Sequence, residues 1–244
     1  YVQTGFGQTT RVQKEVEHPT NTYDNCWYER AMTDYFTQPL AHNANPINHC
    51  RLIPFWQLYL YLSKVKEMDF YPDLLETIRR TPDPETAGLC QLEFIKKACK
   101  VSNMDLTPFF EKYGFLTPIE KEVNDYGKKK FVITKKQIEE TKKEIASGNY
   151  KKVNIPFWYI SDYTVPFFRN PQPVSTGTAI CKGNTFTMYN WNRVVAYEVY
   201  QKGKLVFVSP LSHFTVENVV VTSTTHVYAI GADGSKKEVK FQWS

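Results

Sequence analysis

Residues 51–61 read Arg51-Leu-Ile-Pro-Phe-Trp-Gln-Leu-Tyr-Leu-Tyr61, and two related stretches follow at Asp69-Phe-Tyr-Pro-Asp-Leu-Leu75 and Leu106-Thr-Pro-Phe-Phe-Glu-Lys-Tyr-Gly-Phe115. Their aromatic and aliphatic side chains recur at three- and four-residue spacing, which is the period of a helix with one buried face. Proline is tolerated in the first turn of a helix, where its missing N–H would have no partner. We therefore predict successive helices, with Pro54 and Pro72 in the first turns of two of them.

The composition is that of a globular protein rich in aromatic residues. Of 244 residues, 42% are hydrophobic and 23% are charged, which allows one large domain or two ordinary ones. Sixteen Tyr, sixteen Phe and five Trp make up 15% of the chain. Aromatic side chains at this density fill cores and also line clefts for sugars or peptides, so composition alone leaves both roles open.

The charge pattern does not favour nucleic acid or membrane partners. The formal net charge is +5, and it arises after residue 150, where there are ten Lys and Arg and five Asp and Glu; residues 1–150 carry twenty of each. No basic stripe with periodic spacing occurs, so nucleic-acid binding is not predicted. No apolar run approaches the roughly 18 residues of a membrane-spanning helix, so no membrane span is predicted.

Neither cysteine nor histidine spacing predicts a disulfide framework or a metal site. The five cysteines are Cys26, Cys50, Cys90, Cys99 and Cys181, an odd number without a Cys-x-x-Cys pair. Cys90 and Cys99 fall in a helical pattern that is expected to bury both thiols. His42 and the pair His49-Cys50 come nearest to a ligand cluster, but their spacing matches no helical i, i+4 pair.

Residues 1–148 are predicted to form a helical subdomain. The predicted helices cover residues 25–38, 54 onward, 73–80 and 89–101, a short helix ended by Gly114, and two helices opened by capping boxes at Thr117-Pro-Ile-Glu120 and Thr134-Lys-Lys-Gln137. A capping box satisfies two backbone N–H groups at the start of a helix. Glycine at position 148 suits the end of the last helix.

After Asn149 the hydrophobic period changes to that of β-strands. Short runs rich in Val, Thr and aromatic residues occur at residues 153–160, 185–189, 194–200, 205–208, 218–222, 227–230 and 237–242. Turn sequences at Lys202-Gly203 and Ala232-Asp-Gly234 separate neighbouring runs. Such runs predict a β-sandwich of the immunoglobulin or fibronectin-III-like type. The predicted fold class is therefore α+β in two domains, an all-α helical subdomain over 1–148 and a β-sandwich over 149–244.

The sequence contains no complete catalytic constellation. It has no Gly-x-Ser-x-Gly, no phosphate-binding glycine loop and no His-Glu-x-x-His. Carboxylate pairs such as Asp83 and Glu85 lie in charged, solvated stretches. From the residues alone, the chain is a helical domain followed by a β-sandwich, with no predicted catalytic or metal-binding residues.

Several motifs in a fixed order along the chain carry a family resemblance. Those of the helical half are Phe55-Trp-Gln-Leu58, Phe70-Tyr-Pro-Asp73, Gln91-Leu-Glu-Phe-Ile95 and the stretch 106–115 quoted above. Those of the β half are Val195-Ala-Tyr-Glu-Val-Tyr200, Lys204-Leu-Val-Phe-Val208 and Tyr228-Ala-Ile-Gly-Ala-Asp-Gly234. Together they resemble the C-terminal helical subdomain of enhancin-like zinc metallopeptidases, a family of mucin-degrading enzymes, and the β-domain that often follows it.

The resemblance implies a zinc peptidase as the parent of this chain. In the family, a His-Glu-x-x-His helix supplies two zinc ligands and the general base, and a downstream Glu supplies the third ligand. No position here matches that motif, so no catalytic or metal residue is carried over. Residues 1–3 are expected to continue the helix after the third ligand. The implied partners are O-glycosylated substrate proteins and a missing N-terminal catalytic lobe, and the implied location is secreted or cell-surface.

The resemblance also implies substrate contacts from the helical half, which in two-lobed zinc peptidases forms the far wall of the cleft. The predicted contact residues are His49, Arg51, Trp56, Gln57 and Tyr59. Alternatively, Trp56 and Tyr59 pack the helix bundle, which their i, i+3 spacing allows equally well.

A second hypothesis treats the chain as a non-catalytic module that binds glycans or a partner protein. It depends on five aromatic residues of the β half: Trp158, Tyr159, Tyr163, Trp191 and Trp243. Sugar rings stack on exposed aromatic faces, but sandwich cores also absorb such residues. If the catalytic lobe is missing, we further expect an apolar patch on residues 1–60 and an irregular segment over residues 1–20.

Overall fold

The computed structural model describes residues 26–124, 128–217 and 219–243. The helices are α1 (Trp27–Phe36), α2 (Asn48–Leu58), α3 (Phe70–Arg79), α4 (Ala87–Ser102), α5 (Thr107–Lys112), α6 (Lys135–Ser147) and α7 (Val165–Arg169). The strands are β1 (Met104–Asp105), β2 (Ile119–Asn124), β3 (Lys128–Ile133), β4 (Lys151–Lys152), β5 (Thr178–Lys182), β6 (Thr185–Tyr189), β7 (Val194–Gln201), β8 (Lys204–Ser209), β9 (His213–Thr215), β10 (Thr225–Gly231), β11 (Lys236–Val239) and β12 (Gln242–Trp243). Short 3-10 turns lie at His42–Ala44 and Phe157–Tyr159. The expectations for residues 1–3 and 1–20 lie outside the described residues.

Helix α2 begins earlier than its sequence pattern predicts. It runs from Asn48 and continues through a π-helical segment at Tyr59–Val65. Pro54 therefore lies inside α2, and the prediction of a first-turn proline is wrong for this helix. The chain can turn into the helix before Pro54 because the Asn45 side chain accepts a hydrogen bond from Ile47 N–H at 2.9 Å. None of the described helices is long and apolar enough to cross a membrane.

Of the two predicted capping boxes, only the second opens a helix. The Thr134 side chain accepts a hydrogen bond from Gln137 N–H, and the Gln137 side chain accepts one from Thr134 N–H, so α6 starts as predicted. Residues 119–124 form β2 instead, paired antiparallel with β3. The whole segment pairs with β3, whose Phe131 and Ile133 are buried, and this pairing prevails over the capping signal. The prediction of an all-α subdomain is therefore wrong, because the helical half contains a β-hairpin.

Helix α4 buries the predicted stripe but not both of its cysteines. Ile95 and Cys99 have no exposed surface, whereas Cys90 is exposed. The burial prediction is wrong for Cys90 because this residue lies in the first turn of α4, off the line formed by Leu92, Ile95 and Cys99. Burial raises the pKa of the Cys99 thiol to about 12, which keeps it protonated at neutral pH.

Residues 178–243 form two four-stranded sheets, ordered β11-β10-β7-β8 and β12-β5-β6-β9. Their inner faces share one hydrophobic core, in which Tyr197 and Phe207 contact the Phe214 ring of the other sheet at centroid distances of 5.8 and 5.9 Å. The strands predicted at 185–189, 194–200, 205–208 and 227–230 are present, as are both predicted turns. The α+β class is confirmed, and the two sheets pack face to face.

Two of the predicted strands are not formed. Residues 153–160 adopt an irregular path that ends in the Phe157–Tyr159 turn. Pro156 has no N–H to donate to a sheet. The aromatic residues after it pack into the larger hydrophobic core, which accounts for their strand-like composition. No strand covers 219–222 either, and Asn218 lies outside the described residues. Strands β5 and β9, by contrast, lack a predicted counterpart.

Helix α1 covers the edge of strand β8 and joins the two halves. The Thr33 hydroxyl donates to Val208 O and accepts from Val208 N–H, both at 3.1 Å. The Ser209 hydroxyl also donates to the Glu29 carboxylate. An edge strand with unpaired backbone groups invites pairing with other chains, and the helix prevents this along part of β8. Residues of both halves share the larger hydrophobic core, while the domain division at 148/149 stays a prediction.

Candidate functional site

Four of the five predicted contact residues lie on α2, and the fifth follows directly in the π-helical segment. The Trp56 and Tyr59 rings form a half-buried pair with centroids 4.9 Å apart and an interplanar angle of 30°. His49 stacks on the Trp27 ring of α1, with centroids 4.6 Å apart. Residues 26–60 are the described part of the predicted apolar patch. Among them, one large hydrophobic side chain is exposed, that of Leu52, with an exposed fraction of 47%. The structure thus brings the Trp56 and Tyr59 rings together and leaves both partly exposed.

Gln57 differs from its neighbours on α2 because it is fully buried. Its Nε2 donates to Trp158 O at 2.8 Å and to Ile160 O at 2.9 Å. The structure therefore gives Gln57 a packing role, and its contact with a substrate stays a prediction. Arg51 is half-buried and donates to the Asn48 side chain at the start of α2.

We name the segment that Gln57 holds, residues 156–164, the aromatic loop. At its base, the Phe157 ring stacks on Tyr61, with centroids 4.3 Å apart, and on Phe109, with centroids 4.8 Å apart. Both interplanar angles are below 15°, so Phe157 is sandwiched between an aromatic ring of the π-helical segment and one of α5. The base of the aromatic loop is therefore part of the core, and its far end reaches the surface beside α2.

The aromatic loop brings to α2 a carboxylate that sequence reasoning missed. Asp162 Oδ2 accepts hydrogen bonds from Tyr28 Oη at 2.6 Å and from Trp56 Nε1 at 3.1 Å. Tyr163, the next residue, is 53% exposed. An ionised carboxylate has about four lone-pair sites, so Asp162 keeps acceptor capacity beyond these two bonds. The signal in the sequence is the stretch Ser161-Asp-Tyr-Thr164, in which Ser, Asp and Thr are residues typical of turns.

Tyr28 remains a hydrogen-bond donor at neutral pH. Burial and the negative charge of Asp162 raise the pKa of Tyr28 well above its ordinary value, so the phenol stays protonated. With Trp56 as a second donor, the carboxylate is held in one orientation by α1 and α2. We name the group Trp56, Tyr59, Asp162 and Tyr163 the Trp56–Asp162 surface. It combines aromatic faces with an oriented acceptor, which suits a sugar ring whose C–H face stacks and whose hydroxyls donate.

His42 lies in the core, where it stacks on the Phe115 ring with centroids 3.8 Å apart. Burial and, secondarily, the positive charge of Arg51 lower the pKa of His42 to about 3, so the imidazole is neutral at pH 7. Among residues 26–124, 128–217 and 219–243, no three His, Cys, Asp or Glu side chains come together in an arrangement that could hold a metal ion. These residues do not fit the zinc of the implied parent, and we derive no chemical step through it.

We expect the stability of the chain to fall between pH 7 and pH 5, in part because of His42. The unfolded histidine binds a proton near pH 6.5, whereas the folded one does so only near pH 3. Acid therefore favours the unfolded state, by about 2 kcal/mol over this range for this one group. Urea unfolding at both pH values measures the loss, and comparison with His42→Phe isolates the histidine. An equal pH dependence in the two proteins would contradict a buried, neutral His42.

Of the five aromatic residues of the binding-module hypothesis, three lie in the aromatic loop and two, Trp191 and Trp243, lie in the sandwich. Tyr159 is buried in the larger core, and Trp158 beside it is half-buried. Trp191 is also half-buried, and its Nε1 donates to the backbone of β5 at 3.1 Å. Tyr163 and Trp243 are 53% and 54% exposed. Two of the five therefore present large exposed rings, and one of those, Tyr163, belongs to the Trp56–Asp162 surface.

Two family models match the sequence. The model of peptidase M60, enhancin and enhancin-like, matches residues 3–114, and the model of the peptidase M60 C-terminal domain matches residues 177–238. The chain belongs to the enhancin-like M60 peptidase family. The first match lies in the helical lobe and the second in the β-domain, so the resemblance inferred from the motifs is confirmed for both parts.

Solved structures of metallopeptidases are similar to this M60 chain over most of its length. A metallopeptidase from Bacteroides thetaiotaomicron has a TM-score of 0.67 at 25% identity, over 86% of this chain and 41% of its own. A metallopeptidase in complex with Tn antigen has a TM-score of 0.66 at 25% identity, over 86% of this chain and 45% of its own. The ZmpB metallopeptidase from Clostridium perfringens, with a TM-score of 0.59 at 17% identity over 97% of this chain and 44% of its own, supports the fold alone. The chain thus spans less than half of each of these structures, and no curated protein matches its sequence.

Proposed function

We propose that this M60 chain forms the helical lobe and β-domain of a zinc metallopeptidase that acts on mucin-type glycoproteins. The observation that carries the proposal is the Trp56–Asp162 surface, where two helices and the aromatic loop bring aromatic faces and an oriented carboxylate together. The zinc, which supplies a Lewis acid and an activated water, would be held by a lobe with a His-Glu-x-x-His motif, and this chain has none. We propose that the chain alone lacks peptidase activity.

The proposed role of the Trp56–Asp162 surface is to bind the glycan of an O-glycosylated substrate. Sugar C–H faces pack on the rings of Trp56, Tyr59 and Tyr163, and the Asp162 carboxylate accepts hydrogen bonds from sugar hydroxyls. His49 and Arg51 are proposed to extend the contact along α2. The Tn antigen bound to a metallopeptidase 25% identical to this chain supports this class of substrate.

We also infer that the sandwich is of the fibronectin-III-like type. Counted from β5, its first, second and fifth strands form one sheet, and its third, fourth, sixth and seventh form the other. This strand order supports a Greek-key sandwich, to which β12 adds a parallel pair with β5 at the edge. The domain division at 148/149 and a secreted or cell-surface location belong to the same proposal and are supported by the family resemblance.

Zinc analysis and mucin digestion test the proposed inactivity of the chain. We expect the chain alone to carry no stoichiometric, tightly bound zinc and to leave an O-glycosylated mucin intact, because it lacks the ligand motif. A full-length M60 metallopeptidase that carries the motif is the positive control. One tightly bound zinc together with cleavage by the chain alone would reject the proposal.

Binding of a Tn-glycosylated peptide tests the Trp56–Asp162 surface directly. Tyr163→Ala removes an exposed ring, so we expect the dissociation constant to rise about five- to tenfold. The matched control is Tyr189→Ala, which removes a ring that is 46% exposed on β6. Isothermal titration calorimetry measures both variants. Unchanged affinity in Tyr163→Ala would remove this surface from the glycan site.

The second candidate function is a non-catalytic module that binds glycans or a partner protein through the sandwich. Ile180 on β5, Tyr189 on β6 and Trp243 on β12 favour it, because they are 37%, 46% and 54% exposed within one sheet. In this case Tyr189→Ala and Trp243→Ala weaken glycan binding, and Tyr163→Ala does not. That pattern would reject the Trp56–Asp162 surface in favour of the sandwich.

A further inference from the structure

The β-domain has a buried carboxylate that the proposed function does not use. Glu198 lies on the central strand β7 and is 7% exposed. Its Oε1 accepts a hydrogen bond from Tyr159 Oη, and its Oε2 accepts from Tyr200 Oη at 3.0 Å and from Lys236 Nζ at 2.7 Å. We name these four residues the Glu198 cluster. The cluster links β7 and β11 of the sandwich to the aromatic loop through the Tyr159 hydroxyl.

The charges of the Glu198 cluster are balanced within it. Lys236 Nζ also lies 4.5 Å from the ring centroids of Tyr200 and Tyr228, so the ammonium is held between two rings and the carboxylate. Burial alone would raise the pKa of Glu198, but hydrogen bonds from Lys236 and Tyr159 outweigh it and keep this pKa below its ordinary value. A buried carboxylate that loses a partner is costly, so the cluster disfavours other positions of Tyr159.

Within the aromatic loop, Tyr159 lies between two backbone carbonyls that the helical half holds. Gln57 Nε2 donates to Trp158 O at 2.8 Å and to Ile160 O at 2.9 Å. Tyr113 Oη also donates to Trp158 O, at 3.0 Å. The helical half therefore clamps the backbone on either side of Tyr159, and the sandwich clamps the Tyr159 side chain itself.

The clamped segment leads directly into Asp162. Ser161 N–H donates to the Thr164 hydroxyl at 2.8 Å, and Thr164 N–H donates to Ser161 O at 3.0 Å, which closes residues 161–164 into a turn. Asp162 lies inside this turn, so a displacement of Tyr159 is passed on to the carboxylate. The Trp56 indole then responds, because its Nε1–H is bonded to Asp162 Oδ2 at 3.1 Å.

We propose that Glu198 is a positioning residue, through which the β-sandwich sets the orientation of the Asp162–Trp56 pair. Its importance for glycan binding rests on the proposed function, whereas the geometric coupling between Glu198 and Trp56 stands without it. The β-domain is then a scaffold of the substrate-contact surface and not an appended module. A substitution at Glu198 should therefore alter the hydrogen bond of Trp56, because the aromatic loop connects the two side chains through Tyr159 and Asp162.

The indole N–H of Trp56 reports this coupling in a ¹H–¹⁵N spectrum of the whole chain. The chain has five Trp, so the resonance lost in Trp56→Phe assigns the signal. Glu198→Gln removes the charge and keeps the shape of the side chain. We expect the Trp56 resonance to shift and its hydrogen-exchange rate to rise about tenfold, because the bond to Asp162 is held less firmly. Tyr159→Phe removes only the hydroxyl that joins the loop to the cluster, and should give the same change.

The matched control is Glu238→Gln, which removes a carboxylate paired with His226 and Lys240 on the solvent-exposed side of β11. It should leave the Trp56 resonance and its exchange rate unchanged. If Glu198→Gln fails to fold, Tyr159→Phe provides the test, because this variant keeps the Glu198–Lys236 ion pair. An unshifted Trp56 signal in a folded Tyr159→Phe protein would overturn the proposal.

Titration with a Tn-glycosylated peptide separates this proposal from the proposed function. We expect the dissociation constant to rise about fivefold in Glu198→Gln and Tyr159→Phe and to stay unchanged in Glu238→Gln. A shifted Trp56 signal, without glycopeptide binding even by the unaltered chain, would reject the proposed function and support the positioning role. Tight binding by every variant, with an unshifted Trp56 signal, would support the function and reject the positioning role.

Discussion

Gly114→Ala is expected to lower the free energy of unfolding by about 3–5 kcal/mol, because two separate costs add. Gly114 has a φ of +69°, a left-handed conformation that any side chain makes unfavourable. A Cβ at this position would also lie 1.9 Å from Leu40 O. The backbone there is not free to withdraw, since His42 N–H donates to Gly114 O at 2.9 Å. Alanine must therefore break the contact that fixes the end of α5 against the segment between α1 and α2.

The matched control for Gly114→Ala is Gly183→Ala. Gly183 also has a left-handed φ, of +60°, but nothing lies within 4 Å of a Cβ placed there. We expect this variant to lose only about 1 kcal/mol, from backbone strain alone. Urea unfolding of the two variants and the unaltered chain gives both losses. Similar losses in the two would mean that the close approach to Leu40 contributes little, contrary to the prediction.

The helices that the sequence predicts correctly are those whose signals are local. The capping box at Thr134 and the apolar stripe behind it occupy one short window, and α6 forms there. The box at Thr117 fails for a non-local reason. Residues 119–124 pair with β3, whose Phe131 and Ile133 are buried, and the pairing decides the structure of both strands. Capping and period therefore predict an element only where no partner strand competes for it.

The contacts of the candidate site are also of two kinds, local ones that the sequence predicts and non-local ones that it does not. Trp56 and Tyr59 are one helical turn apart, so their ring contact follows from the helical period that predicts them. Asp162 meets Trp56 across 106 positions of sequence, and no local pattern contains that hydrogen bond. The aromatic composition of 153–160 even points to a strand, because a buried loop and a buried strand use the same residues. The order of the motifs identifies the family, but it gives no contact between them.

Phe157→Ala is expected to lower the free energy of unfolding by about 3–5 kcal/mol, as is usual when a buried aromatic side chain is truncated. Phe157 is 2% exposed, and its ring stacks on Phe109 at 4.8 Å and on Tyr61 at 4.3 Å. Truncation removes both ring contacts and leaves a cavity between rings that cannot close up. Phe157→Leu, which keeps most of the volume, should lose about 1–1.5 kcal/mol. Equal losses in the two variants, measured by urea unfolding, would contradict the account of Phe157 as an aromatic wedge.

The same substitution tests whether the Trp56–Asp162 surface depends on the core beneath it. Under conditions where Phe157→Ala is still folded, we expect faster hydrogen exchange over residues 156–164 and weaker binding of a Tn-glycosylated peptide. Both effects are expected because the loop that carries Asp162 is no longer anchored in the core. Tyr163→Ala, at the exposed end of the loop, should weaken binding and leave the ring contacts of Phe157 in place. If Phe157→Ala is less stable but keeps its exchange rates and affinity, the hydrogen bonds of the loop with Gln57, Tyr113 and Glu198 position it, and the aromatic core serves stability only.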